Sequence, residues 1–247
     1  MLVGWRLGWW IHRISLPNPS LIFALRKQGR GSLLRVFGFH LQWSVPGKIL
    51  THVAGAIGVD EAGRGPLAGP VLVAAVRLPS GFDVRGINDS KALDRERREQ
   101  LAIRIKSDAE FQLIEVGLEA IAKRNILHAT LDAMEAAAVA LKPQEDRILV
   151  DGDKVPFGLR HRAEAIVDGD ATFACIAAAS ILAKTERDRI MTDFAQEYPE
   201  YGFEKHFGYA TPEHLAALHE HGPCPIHRVT FRPICDMLAQ PCLTFDA

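Results

Sequence analysis

Two short apolar runs, joined by a turn rich in glycine and proline, most constrain how this chain can fold. The first, Ala56–Val59, ends in the adjacent carboxylates Asp60 and Glu61, and the second, Val71–Leu78, is almost continuously apolar. Runs of this length, bounded by turn residues, are typical of buried strands in an α/β sheet. Polar groups at the end of a buried strand are costly unless something pairs with them, so the two carboxylates predict a bound divalent cation.

The turn between the two runs carries Arg64 between Gly63 and Gly65. Glycine lets a backbone come close to a ligand, and an arginine can donate paired hydrogen bonds to a phosphate. A metal, a phosphate and a close backbone approach together indicate phosphodiester chemistry.

Patterns of strand and helix alternate further along the chain and predict a mixed or parallel α/β sheet. The predicted strands are Phe111–Leu118, Arg147–Val150 and Ala163–Val167, and the predicted helices are a segment capped by Asp94 and ending near Ile105, Glu119–Leu141, Thr172–Thr192 and a short helix after Thr211-Pro212.

Asp151 and Asp170 follow the last two predicted strands, as Asp60 and Glu61 follow the first. Because the strand ends of an open α/β sheet meet at its ligand-binding edge, we expect these carboxylates to converge. Oxygen ligands suit Mg²⁺ or Mn²⁺ rather than zinc. Asp151 alone would also fit an ordinary Asp-Gly turn, and Asp168 competes with Asp170 for a place in the set.

Charge is divided unevenly along the chain. Residues 1–59 hold seven of the 29 Lys and Arg residues, none of the 30 Asp and Glu residues and all four tryptophans. The first segment therefore carries a formal charge of +7 and the remainder −8. This break predicts a basic, Trp-rich extension over residues 1–54 and a catalytic domain over 55–247.

The extension has three interpretations: a targeting presequence, a nucleic-acid-binding arm with interleaved aromatic residues, or upstream sequence read from a wrong start codon. We favour the third, because its hydrophobic periodicity is poor and prolines and glycines interrupt it. We accordingly expect residues 1–54 to be disordered or an artefact of the start site.

Composition narrows the class of protein. The four cysteines form no C-x-x-C pair, which favours a reduced cytoplasmic protein over a disulfide framework or a zinc site. The sequence contains no apolar run of about 18 residues or more, so no transmembrane helix and no membrane partner are expected.

Several ordered motifs extend over residues 56–235. They are GVDEAGRGPLAGPV at 58–71, Asn88-Asp89-Ser90-Lys91, Val150-Asp151-Gly152, Gly169-Asp170 with IAAASILAKTERD at 176–188, and a C-terminal pattern of Tyr201-Gly202-Phe203, His206, Gly208-Tyr209 and His227-Arg228. In this order and spacing they closely resemble the type 2 ribonuclease H family, ribonuclease HII.

This resemblance implies a ribonuclease H-like mixed sheet flanked by helices, with a small helical C-terminal extension over about 194–247. It also implies a metal-dependent endonuclease that hydrolyses the RNA strand of RNA–DNA hybrids and cuts 5′ of ribonucleotides embedded in duplex DNA. The products would carry 3′-hydroxyl and 5′-phosphate ends. The alternatives are a non-catalytic RNA–DNA hybrid-binding module on the same fold and a metal nuclease that cuts DNA junctions.

The resemblance assigns roles residue by residue. It implies that two Mg²⁺ or Mn²⁺ ions are held by Asp60, Glu61, Asp151 and Asp170. It implies that the 2′-hydroxyl is read by Gly63, Arg64 and Gly65, and that Tyr209 packs against the next deoxyribose. It further implies that phosphates are contacted by Ser90 and Lys91, and that the site is supported by Lys184, Asp188 and Arg228. The implied partners are RNA–DNA hybrid and ribonucleotide-containing DNA; protein partners are unknown, and we expect a monomer.

Some residues depart from the family pattern or have a plainer interpretation. Phe207, Val229-Thr230 and Asp168 stand where basic or hydroxyl residues are common, and we expect this to weaken substrate binding. By residue type alone, Tyr209 would also fit a place in the core. We expect a basic patch drawn from Arg64, Lys91, Lys184, Arg187 and Arg228 to bind phosphate, and we expect His214, His219 and His221 to be exposed.

Overall fold

The computed structural model describes residues 50–87 and 93–239, together with the backbone of three strands between residues 26 and 44. The chain divides into two compact units, residues 1–47 and 48–247. In the first unit, strands β1 (Arg26–Gln28), β2 (Gly31–Val36) and β3 (Phe39–Ser44) form an antiparallel sheet in that order.

The boundary between the units lies earlier than the composition of the sequence places it. Leu50 belongs to the core of the second unit, with 3% of its surface exposed. The amide of Thr51 donates to the carbonyl of Thr172, and the amide of Ala174 donates to the carbonyl of Thr51, at 2.9 Å each. Residues 50 and 51 are therefore part of the second fold.

The second unit is built on a five-stranded mixed sheet. Its elements are β4 (Ile57–Ala62), β5 (Val71–Arg77), α1 (Arg95–Asp108), β6 (Glu110–Val116), α2 (Leu118–Arg124), α3 (Ile126–Ala140), β7 (Ile148–Asp151), β8 (Ala163–Ile166), α4 (Ala174–Glu197), α5 (Phe203–His206), α6 (Pro212–His221) and α7 (Ile234–Ala239). The strand order is β6-β5-β4-β7-β8, with β4, β5 and β6 antiparallel and β4, β7 and β8 parallel. The α/β prediction with a mixed sheet is confirmed.

Both faces of the sheet are buried, which explains why the Val71–Leu78 run is apolar throughout. Leu72, Ala74 and Val76 pack in one core with α4 and α1. The alternate residues of the same strand, such as Val73 and Ala75, pack in a second core with α3. Successive side chains of a strand point to opposite faces, so a strand covered on both sides needs apolar residues at every position.

Helix α4 lies unusually close to β4 at Gly58. A Cβ atom on Gly58 would lie 2.2 Å from the carbonyl carbon of Cys175 and 2.3 Å from the amide nitrogen of Ile176. Only glycine permits this approach, because the atoms it meets are helix backbone. Asp60 follows Gly58 by two residues, so its side chain points to the same face, towards α4.

The single helix predicted over Glu119–Leu141 is wrong. The chain forms α2 and α3 instead, separated by Asn125 at φ 55°. The side chain of Asn125 accepts hydrogen bonds from the amides of Leu127 (2.8 Å) and His128 (3.3 Å) and so caps α3. Asparagine tolerates the left-handed conformation and caps helices well, so one residue both ends α2 and starts α3.

Two predicted helix starts are confirmed. Asp94 caps α1 by accepting from the amide of Arg97 at 2.8 Å, and Thr211 caps α6 by accepting from the amide of His214 at 3.3 Å. The predicted C-terminal helical extension forms a third apolar cluster, in which Phe203 and Leu218 pack with Met191 of α4. Within the described ranges, no helix has both the length and the apolar composition needed to cross a bilayer.

Candidate active site

The last residues of β4 place two carboxylates at one edge of the sheet. Asp60 lies on the central strand with 4% of its surface exposed, and its Oδ1 accepts the amide hydrogen of Glu61 at 2.7 Å. The hydroxyl of Ser180, from α4, also hydrogen-bonds to Asp60. Glu61 points to the other face of the strand and is less buried.

Burial and like charge together act on both groups. Burial, followed by the nearby charges of Glu61 and Asp151, raises the pKa of Asp60 well above its ordinary value. Burial also raises the pKa of Glu61, although the Arg64 guanidinium partly offsets this. A cation in the cleft would remove both penalties, because it favours the ionised forms.

Asp151 and Asp170 come to the same edge from the neighbouring strands. Asp151 ends β7, and its Oδ1 accepts the amide hydrogen of Gly169 at 2.8 Å. Asp170 lies in the short 3-10 turn after β8 and is 8% exposed, whereas Asp168 is exposed, in a left-handed conformation (φ 53°). Burial therefore separates the two candidates and supports Asp170.

The four carboxylates line one open cleft of about 400 Å³. The cleft is also lined by Ala62, Gly63, Arg64, Gly65, Ser180, Lys184, Arg187 and Tyr209. The predicted convergence of the carboxylates at the strand ends is thus confirmed.

The carboxylate set fits a divalent ion by its chemistry. All four donors are carboxylate oxygens, and burial disfavours the ionised forms of Asp60 and Glu61 without a counter-charge. No three His, Cys, Asp or Glu side chains in the described part of the chain already enclose an ion position. Mg²⁺ commonly uses one or two carboxylates and completes its shell with waters and a substrate phosphate, and the arrangement suits that kind of site.

The Gly63–Gly65 turn lies directly beside the carboxylates. Arg64 is about half exposed, and its Nη1 donates to Glu61 Oε1 at 3.1 Å. Gly63 has φ 100°, and a Cβ there would lie 2.0 Å from the Nε of Arg187. A side chain is therefore excluded at this position both by conformation and by space.

Tyr209 stands at the rim of the cleft rather than in the core. It is 46% exposed, and a Cβ on Gly65 would lie 3.5 Å from its ring. The plainer interpretation of Tyr209 as a core residue is wrong, since the ring is open to a ligand next to the glycine turn.

Lys184 and Asp188 form a pair on the inner face of α4. Lys184 Nζ donates to Asp188 Oδ1 at 2.5 Å and lies 4.8 Å from the centre of the Phe207 ring. Asp188 is 4% exposed and also accepts from Arg98 Nη2 at 3.0 Å. Phe207, a departure from the family pattern, thus contacts a cleft-lining lysine through its ring.

The predicted basic patch is only partly correct. Arg187 and Arg228 are 1% and 2% exposed, and their guanidinium groups donate to backbone carbonyls instead of facing solvent. Arg64 and Lys184 line the cleft. Ser90 and Lys91, with the rest of their motif, lie outside the described residues.

The prediction for His214 is wrong. It is fully buried, its Nδ1 hydrogen-bonds to the carbonyl of Tyr209 at 2.8 Å, and its Nε2 lies 3.0 Å from Nε2 of His227. His219 and His221 are exposed as expected. A polar residue on a short helix is usually exposed, so its sequence position gave no signal of this burial.

Sequence reasoning also missed a role for Ser180. It is a polar residue in a stretch of α4 that is otherwise apolar and buried, and it is 5% exposed. Since buried polar groups need partners, a lone serine in such a stretch is a usable signal of a nearby acceptor.

The chain is similar in sequence to proteins of one known family. The profile of the Ribonuclease HII family matches residues 57–234. Ribonuclease HII of Endomicrobium trichonymphae is 52% identical over 184 residues, which are 74% of this chain and 88% of that protein. Ribonuclease HII of Idiomarina loihiensis is 51% identical over 186 residues, with coverage of 74% and 97%.

A solved structure is also similar. The crystal structure of ribonuclease H2 from Pyrococcus horikoshii OT3 matches with a TM-score of 0.65 and 28% sequence identity. The match covers 74% of this chain and 96% of that one.

Proposed function

Because this chain belongs to the ribonuclease HII family and is a ribonuclease H endonuclease, we propose that its cleft hydrolyses the RNA strand of RNA–DNA hybrids and cuts 5′ of single ribonucleotides in duplex DNA. The observation that supports this most is the meeting of four carboxylates, a glycine-flanked arginine and an exposed tyrosine in one cleft. The products would carry 3′-hydroxyl and 5′-phosphate ends.

The carboxylates are proposed to hold Mg²⁺ or Mn²⁺, two ions in the active complex. Bound in pairs, such ions supply an activated water and neutralise the charge that develops on the leaving oxygen. Asp60 would hold the ions from the central strand, with Glu61 beside it and Asp151 on the neighbouring parallel strand. Asp170 would complete the set from the turn after β8.

Hydrogen bonds hold these carboxylates in place. The Ser180 hydroxyl and the Glu61 amide fix the Asp60 carboxylate, and the Gly169 amide fixes Asp151. Oxygens fixed before substrate binds need no reorganisation during the reaction, which lowers its barrier.

Selectivity for RNA is proposed to come from the glycine turn and from Tyr209. The 2′-hydroxyl is what distinguishes a ribonucleotide from a deoxyribonucleotide at one position. The Gly63–Gly65 backbone is open to a close approach, and the Tyr209 ring beside it would pack against the sugar of the next nucleotide. A ribose there would add a hydroxyl against the ring.

Phosphate binding is proposed for Arg64 and Lys184, which line the cleft, and for Ser90 and Lys91 of the family's second motif. Affinity for nucleic acid depends on such local cations rather than on net charge, so a catalytic segment of −8 remains compatible with this substrate. We further propose that the protein acts as a monomer in the cytoplasm. Family membership does not favour the non-catalytic alternative.

The deciding experiment uses a labelled DNA duplex with one ribonucleotide, incubated with Mg²⁺, with Mn²⁺ and with EDTA. We expect a single metal-dependent cut 5′ of the ribonucleotide. Asp60→Asn should abolish cleavage while binding of the hybrid, measured by fluorescence anisotropy, survives. Asp153→Asn, at an exposed loop position near the cleft, is the matched control and should cut at the wild-type rate.

Two results would count against the proposal. Near-normal cleavage by Asp60→Asn would remove Asp60 from the reaction. Cleavage of an all-DNA duplex at a rate comparable to that of the ribonucleotide-containing one would point to a different metal nuclease on this fold.

A further inference from the structure

Two buried arginines, Arg187 on α4 and Arg228 near the C-terminal end of the fold, lie behind the glycine turn. They are 1% and 2% exposed. Among the described residues, every hydrogen bond that their guanidinium groups make goes to a backbone carbonyl oxygen. Neither group is thus placed to contact phosphate directly.

Arg228 encloses the turn from behind. Its three guanidinium nitrogens reach carbonyls at both ends and in the middle of one loop. The acceptors are the carbonyl oxygens of Gly63 (2.6 Å), Pro66 (2.7 Å), Gly69 (2.9 Å), Arg64 (3.0 Å) and Pro70 (3.3 Å). A planar group with five N–H donors suits such a loop, and a lysine ammonium with three donors on one atom does not.

Arg187 joins two loops that are far apart in sequence. Its Nη2 donates both to the carbonyl of Ala68 (3.1 Å) and to that of Phe207 (3.0 Å), and its Nε donates to the carbonyl of Pro70 (3.1 Å). Phe207 is two residues before Tyr209 and has φ 50°, a conformation that is costly for a non-glycine residue. The hydrogen bond from Arg187 therefore fixes the carbonyl group of a strained residue, two positions before Tyr209.

Backbone bonds and close packing complete the connection. The amide of Leu67 donates to the carbonyl of Gly208 at 2.8 Å, and a Cβ on Gly208 would lie 2.7 Å from the carbonyl oxygen of Ala68. The loop that carries the glycine turn and the loop that carries Tyr209 therefore pack directly against each other.

Burying two cations is expensive, and the neighbouring charge adds to the cost. Burial, and then the charge of Arg187, lowers the pKa of Arg228 to about 9, so that it stays charged at neutral pH. Apolar side chains of similar volume often stabilise a fold more than buried charges do. What the arginines provide beyond packing is a fixed set of hydrogen bonds, which sets the positions of the two loops.

We propose that Arg187 and Arg228 are positioning residues that hold the Gly63–Gly65 turn and Tyr209 as one rigid unit, with Arg187 as the link between them. Recognition of the ribonucleotide and of the deoxyribonucleotide that follows it is then one event, because neither loop moves without the other. This inference rests on the proposed roles of the turn and of Tyr209.

The test compares two substrates, a DNA duplex with one ribonucleotide and a long RNA–DNA hybrid. Arg187→Lys keeps the charge but loses the reach to Phe207 and Ala68. We expect it to lower the ratio of kcat/KM for the single-ribonucleotide duplex to kcat/KM for the hybrid about tenfold, the size expected for a hydrogen bond to a charged group. Arg228→Lys should lower the same ratio and serves if the first variant does not fold.

Arg77→Lys is the matched control. Arg77 also donates to a backbone carbonyl, that of Leu141 at 2.8 Å, but it pairs with Ile57 at the end of the strands remote from the carboxylates. We expect this variant to lower the melting temperature and to leave the substrate ratio unchanged.

A double-mutant cycle then separates positioning from general loosening. If Arg187 acts through Tyr209, Arg187→Lys should not change the ratio further in a Tyr209→Ala background. Equal losses on both substrates, or additive effects in the double variant, would overturn the proposal.

Amide hydrogen exchange tests the link without any substrate. In Arg187→Lys we expect the segments 63–70 and 207–211 to lose protection together, whereas loss in one segment alone would contradict the inference. If the wild-type enzyme shows no cleavage at a single ribonucleotide, the proposed function fails and this measurement still decides whether the two loops form one unit.

Discussion

Asp60 is a buried carboxylate beside two other acidic groups, so the ion-free cleft destabilises the fold that carries it. Its raised pKa means that the folded protein binds the Asp60 proton more tightly than the unfolded chain does. The protonated group therefore contributes fully below the unfolded value of 3.8, and the contribution is lost as the pH rises through the raised folded value. Catalytic geometry and stability oppose each other at this residue.

We predict that Asp60→Asn raises the melting temperature of the ion-free protein at neutral pH by a few degrees, since about 1 kcal/mol shifts the melting temperature of a domain of this size by about 2–4 °C. Asparagine keeps the Oδ1 acceptor for the Glu61 amide and removes the buried charge. The gain should shrink as the pH falls towards 4, because the wild-type carboxyl becomes protonated. Scanning calorimetry in EDTA checks this.

The control for this stability measurement is Asp153→Asn, which replaces an exposed acid and should not change the melting temperature. Added Mg²⁺ should raise the melting temperature of the wild type and raise that of Asp60→Asn less, because binding to the folded state stabilises it. A lower melting temperature for Asp60→Asn in EDTA at neutral pH would contradict the electrostatic account.

At the residue scale, the place of the carboxylates at strand ends was predictable from the sequence, whereas the burial of Arg228 and His214 was not. Adjacent acids at the end of an apolar run are a local pattern, readable without the fold. The burial of Arg228 depends on a loop more than 100 residues earlier, and the burial of His214 depends on the packing of a short helix. Residue type alone favours exposure for both, which is why sequence reasoning placed them at the surface.

At the scale of elements, β4 and α4 position the site, and Gly58 sets their separation. Strand positions were predictable because a sheet buried on both faces demands continuous apolar runs. The break between α2 and α3 was missed because Asn125 interrupts a stretch of good helix formers without a glycine or proline. The tertiary contact of Gly58 with helix backbone has no counterpart in the local sequence.

We predict that Gly58→Ala destabilises the protein by about 1–3 kcal/mol or more, the usual cost of overpacking a core. The new methyl group would meet backbone atoms of α4 that no change of rotamer can move. Urea denaturation measures the loss. Gly81→Ala, at an exposed glycine with open space around its Cβ position, should have no comparable effect.

Displacement of α4 by the same substitution should also move Ser180 away from Asp60. Metal-dependent cleavage by folded Gly58→Ala should therefore fall more than its folded fraction does. If activity follows the folded fraction alone, the coupling of helix position to the Asp60 carboxylate is weaker than the packing indicates.

At the scale of the whole molecule, the charge break and the structural boundary nearly coincide. Composition located a division near residue 54 because the first acidic residues and the first core strand begin together. It could not show that Leu50 and Thr51 already belong to the second unit, because one apolar and one polar residue carry no periodic signal. The interpretation of residues 1–54 as upstream sequence read from a wrong start codon stays a prediction.

Two deletions test this division. Removal of residues 1–47 should leave the melting temperature of the second unit and its cleavage rate near the wild-type values. Removal of residues 1–54 should lower the melting temperature, because it deletes the buried Leu50 and both backbone hydrogen bonds of Thr51. Loss of cleavage in the shorter deletion would instead give the basic extension a part in substrate binding.

The alternation of Asp60 and Glu61 across β4 limits how this family of sequences can change length. Neighbouring side chains of a strand point to opposite faces of the sheet, so Asp60 and Glu61 approach the cleft from the two faces. Inserting or deleting one residue between Gly58 and Glu61 would exchange the two sides and turn Asp60 away from α4. These four positions must therefore keep their count.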